Sequence, residues 1–552
     1  AMFPNELKGI GENLGGASFG ADVGELISED GPLLDGDFTI ELFANVHNFS
    51  ASTLSAHLVA QTAPYDPSGL NSRAEFGWTL HIRTDPNFEE NLRELFLVTS
   101  DGQTWQHITS RILVDENKDY FMASAFDLDP GEATFYVHDL ENNRLQINTA
   151  PRQAPHLPLN TTEHFAIGGF EAEPDRHRLH GVVDEVRLSD NVVELKDLLN
   201  SQGVSPDSGP LQIELGPKAL FTAREQRAAD LRQVARANVD DSRRVISKFD
   251  LPEFSGAALK LDEAKLRLFV DPTSDPASAE LSLWHSPTDG AFVVSSDGFS
   301  DESYVDTGIR LKAEGNDEER FVELDVTDLV RRDYASGPAN AVSAFRVQAI
   351  GDSRFRVYAG DTIDRRPLLL MSIDQHLGDF DRNGSLDVSD INQLSLGIAE
   401  HNADFDINRD GSVDQGDLLD WVHGLKRTWI GDSNLDGEFN SSDLVQLFQA
   451  GHFEDGIAMN SGWTQGDWNG DSEFDTGDLV FAFQDGGYER GRRGVQAVPE
   501  PSTHVSIVAL VGLIVICGHR SRCRRALTIA SWDLVPRLRS LGPSCELRRV
   551  IL

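Results

Sequence analysis

Cysteine is nearly missing from this chain of 552 residues: there are three, Cys517, Cys523 and Cys545, all close to the end. Everything before them lacks the thiols for a disulfide framework or a cysteine metal site, so it must fold on packing, hydrogen bonds and oxygen chemistry. Positive charge is scarce as well. Ninety acidic residues stand against 48 basic ones, a formal net charge of −42. With no basic face to neutralise phosphates, nucleic acid is excluded as a partner. Catalytic signatures are missing too: there is no Gly-x-Ser-x-Gly elbow, no His-Glu-x-x-His and no phosphate-cradling glycine loop ending in lysine. The 16 histidines are scattered, and His177 and His180 fall in or beside a charged turn where a solvated role is expected. The opening Ala1-Met2-Phe3-Pro4 shows no basic-then-apolar leader pattern.

What the chain does have is one acidic 12-residue loop written four times between residues 378 and 478. Oxygen side chains recur at loop positions 1, 3, 5, 7, 9 and 12. The first copy offers Asp379, Asp381, Asn383, Ser385, Asp387 and Asp390; the second Asp406, Asn408, Asp410, Ser412, Asp414 and Asp417. The third offers Asp432, Asn434, Asp436, Glu438, Asn440 and Asp443, and the fourth Asp467, Asn469, Asp471, Glu473, Asp475 and Asp478. That spacing wraps a loop around one hard cation with oxygen ligands, position 7 supplying its backbone carbonyl, which is the requirement of Ca²⁺. Gly384, Gly411 and Gly437 occupy the turn at position 6, where the fourth copy has Ser472 and so the weakest expected affinity. Leu386, Val413, Phe439 and Phe474 at position 8 are expected to face inward. An apolar-periodic segment follows each loop and predicts a helix whose first turn supplies the position-12 ligand. Folding of residues 374–489 is expected to depend on the metal rather than on a hydrophobic core.

Position 12 is Asp throughout, in place of the longer Glu of a helix–loop–helix EF-hand, and no convincing helix leads into the loops. In this the segment resembles dockerin type I repeats, each a loop plus one helix. That resemblance implies calcium and, as a partner, a cohesin-like receptor reading loop positions 10 and 11: Val388-Ser389, Gln415-Gly416, Ser441-Ser442 and Thr476-Gly477.

From Asp37 to about Val193 short alternating runs such as Phe38-Thr-Ile-Glu-Leu-Phe43 and Trp78-Thr-Leu-His-Ile-Arg83 predict an antiparallel sandwich. The segments Gly36–Glu41, Gly77-Trp-Thr-Leu80, Ala166–Phe170 and His180–Arg187 resemble the landmarks of LamG-like, concanavalin A-type jelly rolls. Asp184 and Glu185 are adjacent in an alternating strand pattern, so they are expected on opposite faces and not as an acid–base pair; an ion pair with Arg187 or the capping of a loop suits them better. Trp78, Trp105 and Tyr120 are expected in the core rather than under a sugar ring. Pro, Gly and Ser in residues 201–216 predict a linker. Beyond it, Phe249-Asp-Leu251, Ala264–Leu268 and Leu324–Val330 resemble a DNRLRE-type β-sandwich module of bacterial surface proteins; the run Ala223–Asp240 reads as helical, which that resemblance does not itself imply.

Val498-Pro499-Glu500-Pro501-Ser502, an uncharged stretch to Gly518 and then Arg520, Arg522, Arg524 and Arg525 resemble a PEP-CTERM sorting signal. This implies export, an exosortase-type sorting machinery as partner, and a short transmembrane helix that is removed. The extension from Ala526 to Leu552 departs from that pattern.

The chain is therefore expected to be mainly β: a LamG-like sandwich (1–200), a linker (201–216), a DNRLRE-type sandwich (217–373), four dockerin-like calcium-binding repeats (374–489) and a sorting segment (490–552). The expected function is that of a non-catalytic, exported, cell-envelope calcium-binding protein. Its expected partner is an extracellular polysaccharide or a surface protein. Two alternatives stand: a secreted polysaccharide-active enzyme with a catalytic carboxylate pair hidden in the first sandwich, or a scaffold component docking through its repeats.

Overall fold

The computed structural model describes residues 36–47, 55–62, 76–83, 93–100, 105–129, 131–152, 165–169, 179–199, 209–224, 227–230, 236–240, 242–254, 256–272, 280–287, 304–312, 319–336, 341–360 and 365–493. It also describes the short strands Met2–Phe3, Gly16–Phe19 and Leu26–Ser28. The sorting-signal stretch, its expected transmembrane helix and the three cysteines lie outside the described residues. Among the described residues no helix is long and apolar enough to cross a membrane.

The protein is mainly β, with sheets paired face to face. In the strand Phe38–Val46 the side chains of Phe38, Ile40, Leu42 and Ala44 fall on one face, as a period of two dictates, and all four are fully buried. That strand lies between Asp119–Asp127 and Gly181–Ser189, and the sheet continues through Glu132–Asp139 to Arg144–Pro151. A six-stranded sheet covers it, with Ser55–Thr62, Phe76–Arg83, Glu94–Ser100 and Trp105–Leu113 in sequential antiparallel order. Trp78, Leu80, Leu95, Leu97 and Ile108 from that sheet meet Phe38, Ile40, Phe126 and Phe135 in one core. Trp78 and Tyr120 are core residues, as expected; the side chain of Trp105 is outside those described.

The stretch expected to be a linker behaves differently from its composition. Leu211–Leu215 forms a strand that pairs in parallel with Arg144–Ile147 and antiparallel with Leu369–Ile373. Its alternating Leu211, Ile213 and Leu215 are buried, and that burial outweighs the turn-forming residues just before them. One 13-stranded sheet consequently runs from the first sandwich into the second. The second sandwich closes this sheet with Ala219–Arg224, Arg244–Asp250, Val342–Ala349, Glu280–Pro287 and Val305–Lys312. The helix expected within Ala223–Asp240 is overturned: Arg227–Asp230 and Arg236–Val239 are strands, the latter burying Ala237 and Val239 while Arg236 and Asn238 face out.

The described residues also form six α-helices: α1 (Ala257–Lys260), α2 (Thr327–Ser336), α3 (Val388–Glu400), α4 (Gln415–Leu419), α5 (Ser441–Ala450) and α6 (Thr476–Asp485). Helix α2 carries Asp333 into the second core, where its Oδ2 sits 2.8 Å from His285 Nε2 and accepts the Ser343 hydroxyl. All three side chains are buried, and serine and histidine both bind the carboxylate rather than each other, so the trio braces the core and is no nucleophile relay. Truncation in Asp333→Ala strands two buried polar groups, and about 3 kcal/mol of unfolding free energy should be lost, measured as a lower urea midpoint.

Candidate metal centre

Each 12-residue loop is closed by the same three hydrogen bonds onto its position-12 aspartate. In loop one Asp390 Oδ1 accepts from the backbone nitrogens of Phe380 (2.7 Å) and Asp381 (3.3 Å), while Oδ2 accepts from Asp387 (2.9 Å). Asp417, Asp443 and Asp478 repeat this with the nitrogens of positions 2, 3 and 9 in their own loops. The position-9 side chain (Asp387, Asp414, Asn440 or Asp475) then caps the helix that follows, accepting from the nitrogen two residues on at 2.5–2.7 Å. Positions 9 and 12 are thus the two halves of a capping box at the start of α3, α4, α5 and α6. Because a carboxylate offers about four lone-pair sites, the position-12 group keeps acceptor capacity after these three bonds.

Between those ends the backbone coils around the loop centre. The position-3 oxygen of Asp381, Asn408, Asn434 or Asn469 accepts from the nitrogen of position 5, and the position-5 oxygen accepts from position 7, all at 2.8–3.1 Å. Such turns need left-handed backbone at positions 4 and 6, and every copy has it. Position 6 carries φ of +83° at Gly384, +86° at Gly411, +96° at Gly437 and +67° at Ser472. The fourth loop moves its glycine to position 4, where Gly470 has φ +83°, and tolerates serine at position 6. The strain of one such serine is about 1–2 kcal/mol, too little to undo a loop held by so many bonds.

The loops differ in how their carboxylates gather. In loop one, oxygens of Asp379, Asp381 and Asp390 lie within 4.8 Å of one another, and in loop four those of Asp467, Asp471 and Asp478 do the same. Both oxygens of Asp379 already accept backbone nitrogens, from Asn383 and Gly384. In loop three Asp432 is tied down further, since the Thr428 hydroxyl also donates to it. In loop four, by contrast, Asp467 is 1% exposed and its Oδ2 has no hydrogen-bond partner. Asp406 Oδ1 in loop two is likewise a buried acceptor without a partner. Burial first, then the Asp478 and Asp471 carboxylates, push the Asp467 carboxyl up to about 7. Burial, with Asp471 adding to it, lifts Asp478 to about 6, and burial raises Asp390, Asp432 and Asp443 as well. Like charges buried together with an orphaned acceptor are what a cation relieves. The donor set is all oxygen, which suits Ca²⁺ over softer metals. Loop four, expected to be the weakest because of Ser472, combines the gathered trio with the orphaned oxygen.

A hydrophobic core supports the loops, contrary to the expectation that metal alone would hold them. Trp421, Trp463 and Trp468 are fully buried among Ile391, Leu394, Leu418, Phe439, Leu447 and Phe474. The position-8 residues Phe439 and Phe474 belong to it, Leu386 packs partly buried beside it, and Val413 is buried outside it. Two of the indoles hold the start of a loop: Trp421 Nε1 donates to the Gly378 carbonyl (2.8 Å) and Trp463 Nε1 to the Asp432 carbonyl (2.7 Å). After α4 the chain widens into a π-helical turn, Asp420–Leu425, that sets Trp421 and Leu425 inward. A β-carbon on Gly378 would stand 2.6 Å from Leu425 and 2.9 Å from Trp421, so Gly378→Ala should lower the melting temperature of this region by several degrees in calorimetry. The core also reaches the second sandwich, for Leu259 of α1 packs against it and Arg409, at position 4 of loop two, pairs with Asp262.

Elsewhere the acidic pair near the end of the first sandwich is not on an alternating strand. A bulge interrupts the register between Asp184 and Arg187, with Glu185 at φ +46° and exposed while Asp184 is buried. Arg187 pairs instead with Glu41, which is fully buried, across the neighbouring strand. Three position-10 side chains expected to meet a receptor make contacts within the repeats: Gln415 with the Asn469 carbonyl, Ser441 with Glu489 and Thr476 with Glu454. Sequence reading missed the Thr428 clamp, the indole contacts and the Arg409–Asp262 pair, none of which has a local pattern to announce it.

No family model matches the chain, and no curated protein matches it. Among solved structures it is similar to a pentraxin from Limulus polyphemus at 10% identity and a TM-score of 0.22, over 34% of this chain and 83% of that one. A sialidase carbohydrate-binding module, CBM40, from Ruminococcus gnavus matches at 13% identity and 0.24, over 33% of this chain and 97% of the module. A protein from Bacteroides ovatus described as a putative carbohydrate-binding protein matches at 20% and 0.24, over 35% of this chain and 48% of its own length.

Proposed function

We propose that this chain is a non-catalytic calcium-binding protein of the bacterial cell envelope whose two sandwiches present a glycan- or protein-binding surface. The observation that carries the calcium reading is loop four, where Asp467, Asp471 and Asp478 converge around a buried carboxylate oxygen that no hydrogen bond of normal geometry satisfies. Asp467, Asn469, Asp471, Asp475 and Asp478 would hold the ion there, and the equivalent oxygens would hold it in the other loops. The ion supplies positive charge, and the chain supplies a preformed cradle.

The binding role of the first sandwich is proposed on its resemblance to concanavalin A-type jelly rolls, and strand neighbourhood supports that fold. The segments resembling concanavalin A-type landmarks, distant in sequence, meet in space: Thr39–Glu41 pairs with Arg187–Ser189, and the segments holding Trp78 and Ala166 flank one strand, Ser55–Thr62. Export and envelope attachment rest on the Val498–Arg525 pattern alone. Mass spectrometry of the protein from its native envelope tests them, and a mature end beyond Ala526 would overturn processing there.

Isothermal titration calorimetry tests the calcium reading. Asp467→Ala with Asp478→Ala should remove one ion from the measured stoichiometry, and Asp379→Ala with Asp390→Ala another. Unchanged stoichiometry in both variants overturns the assignment.

A further inference from the structure

A cavity of about 510 Å³ opens between the two sandwiches, away from the metal loops. Its floor is the outer face of the long fused sheet, where Thr134, Tyr136, Ile147 and Thr149 stand on the adjacent strands Glu132–Asp139 and Arg144–Pro151. The second sandwich supplies the facing wall through Lys248 and Val342. Both walls belong to one hydrogen-bonded body, because Arg144–Ile147 and Gln212–Leu215 are parallel neighbours in the same sheet. The cleft is therefore set before any ligand arrives, which spares a binder the cost of ordering it. Size and position, at a junction between modules, match those of small-ligand sites.

The charges in the cleft already engage one another, three ammonium groups meeting four carboxylates. Lys196 lies 3.1 Å from Glu194 and 2.9 Å from Glu253, Lys248 3.2 Å from Asp250, and Lys218 2.5 Å from Glu132. An ionic ligand would have to break one of these pairs to gain another. A ligand rich in hydroxyls would not, since an ammonium carries three donors and a carboxylate about four lone-pair sites, more than a single ion pair uses. The floor adds the Thr134 and Thr149 hydroxyls, 2.9 Å apart, and the apolar bodies of Tyr136 and Ile147. Hydroxyl edges and an apolar C–H face together describe a pyranose ring. The other broad face of the first sandwich is closed to such a ligand: His57, Thr79, His81 and Phe96 on the six-stranded sheet are 5%, 2%, 7% and 4% exposed.

We infer that this inter-sandwich cleft binds a short uncharged oligosaccharide. The inference rests on the glycan-binding reading above and gives it a place and a chemical class. Calcium-loaded full-length protein is titrated calorimetrically with xylo-, manno- and gluco-oligosaccharides, and with oligogalacturonates as the acidic probe. An uncharged series should bind, with an affinity that changes by less than about twofold when salt rises, because no net charge is neutralised. Thr149→Trp, which fills the floor, should weaken it by about tenfold or more, and Lys248→Met, which removes a donor at nearly constant volume, by a similar factor. The Lys248→Met variant keeps the test alive if the tryptophan variant fails to fold. Full affinity in a folded variant of either kind puts the site elsewhere and overturns this inference while leaving glycan binding in place. Binding of the acidic series alone also overturns it. Failure of every oligosaccharide to bind the unaltered protein overturns the glycan reading and the cleft with it.

Discussion

Chelation of calcium should lower the melting temperature of residues 374–493 by about 15–20 °C while leaving their tryptophan emission blue-shifted. The size follows from linkage: a ligand at a hundredfold excess over its dissociation constant stabilises by about 2.7 kcal/mol per site. Loops one and four, where three carboxylates converge, give about 5 kcal/mol together, and each kcal/mol moves a domain of this size by about 4 °C. The blue emission is expected because Trp421, Trp463 and Trp468 are buried among apolar side chains of the repeats. A metal-free region that melts at the same temperature as the loaded one would sink the calcium assignment. One whose tryptophans become solvent-exposed on chelation at room temperature would contradict the core.

In the chelated protein, stability should fall as pH rises from about 4 to about 7.5, the reverse of the usual trend for carboxylates. The folded Asp467 carboxyl sits up at about 7, against an ordinary value near 4 in the unfolded chain, so the folded state holds the extra proton between those limits. Below about pH 4 both states are protonated and the group contributes nothing. Above about pH 7 the folded state must carry a buried, uncompensated charge, a penalty on the order of 4 kcal/mol. Calcium takes the place of that proton, so the loaded protein should lose the penalty and its calcium affinity should weaken as pH drops below about 7. Urea midpoints at several pH values, with and without chelator, measure this for the wild type against Asp467→Asn. The asparagine variant should flatten the slope of the chelated protein. An equal slope in both would place the burden on other groups.

Much of this was legible in residue order because its causes are local. The ligand spacing, the glycine turn and the inward position-8 residue are properties of one 12-residue window, and the hydrogen bonds to Asp390, Asp417, Asp443 and Asp478 repeat with it. The strand Phe38–Val46 announced itself by alternation. What escaped depends on partners far away in the chain. Leu211–Leu215 reads as the end of a Pro/Gly/Ser linker until Arg144–Ile147 and Leu369–Ile373 arrive on its two edges. Helix-favouring alanines and arginines near Ala223–Asp240 gave way to pairing with Phe355–Tyr358 and Ala219–Arg224. The particular build of loop four was hidden for a similar reason. Ser472 was legible, whereas the compensating left-handed Gly470 and the burial of Asp467 follow from the folded loop.

The parallel pairing of Arg144–Ile147 with Gln212–Leu215 has a consequence for anyone dissecting the molecule. A fragment cut after residue 200 would bare the Arg144–Pro151 edge, and one begun after residue 217 would strip Leu368–Ile373 of its neighbour on that side. Open strand margins of this kind recruit other chains. Separately expressed halves should therefore aggregate more readily than the uncut chain: what sequence divides into successive beads, the backbone has knitted into a single fabric.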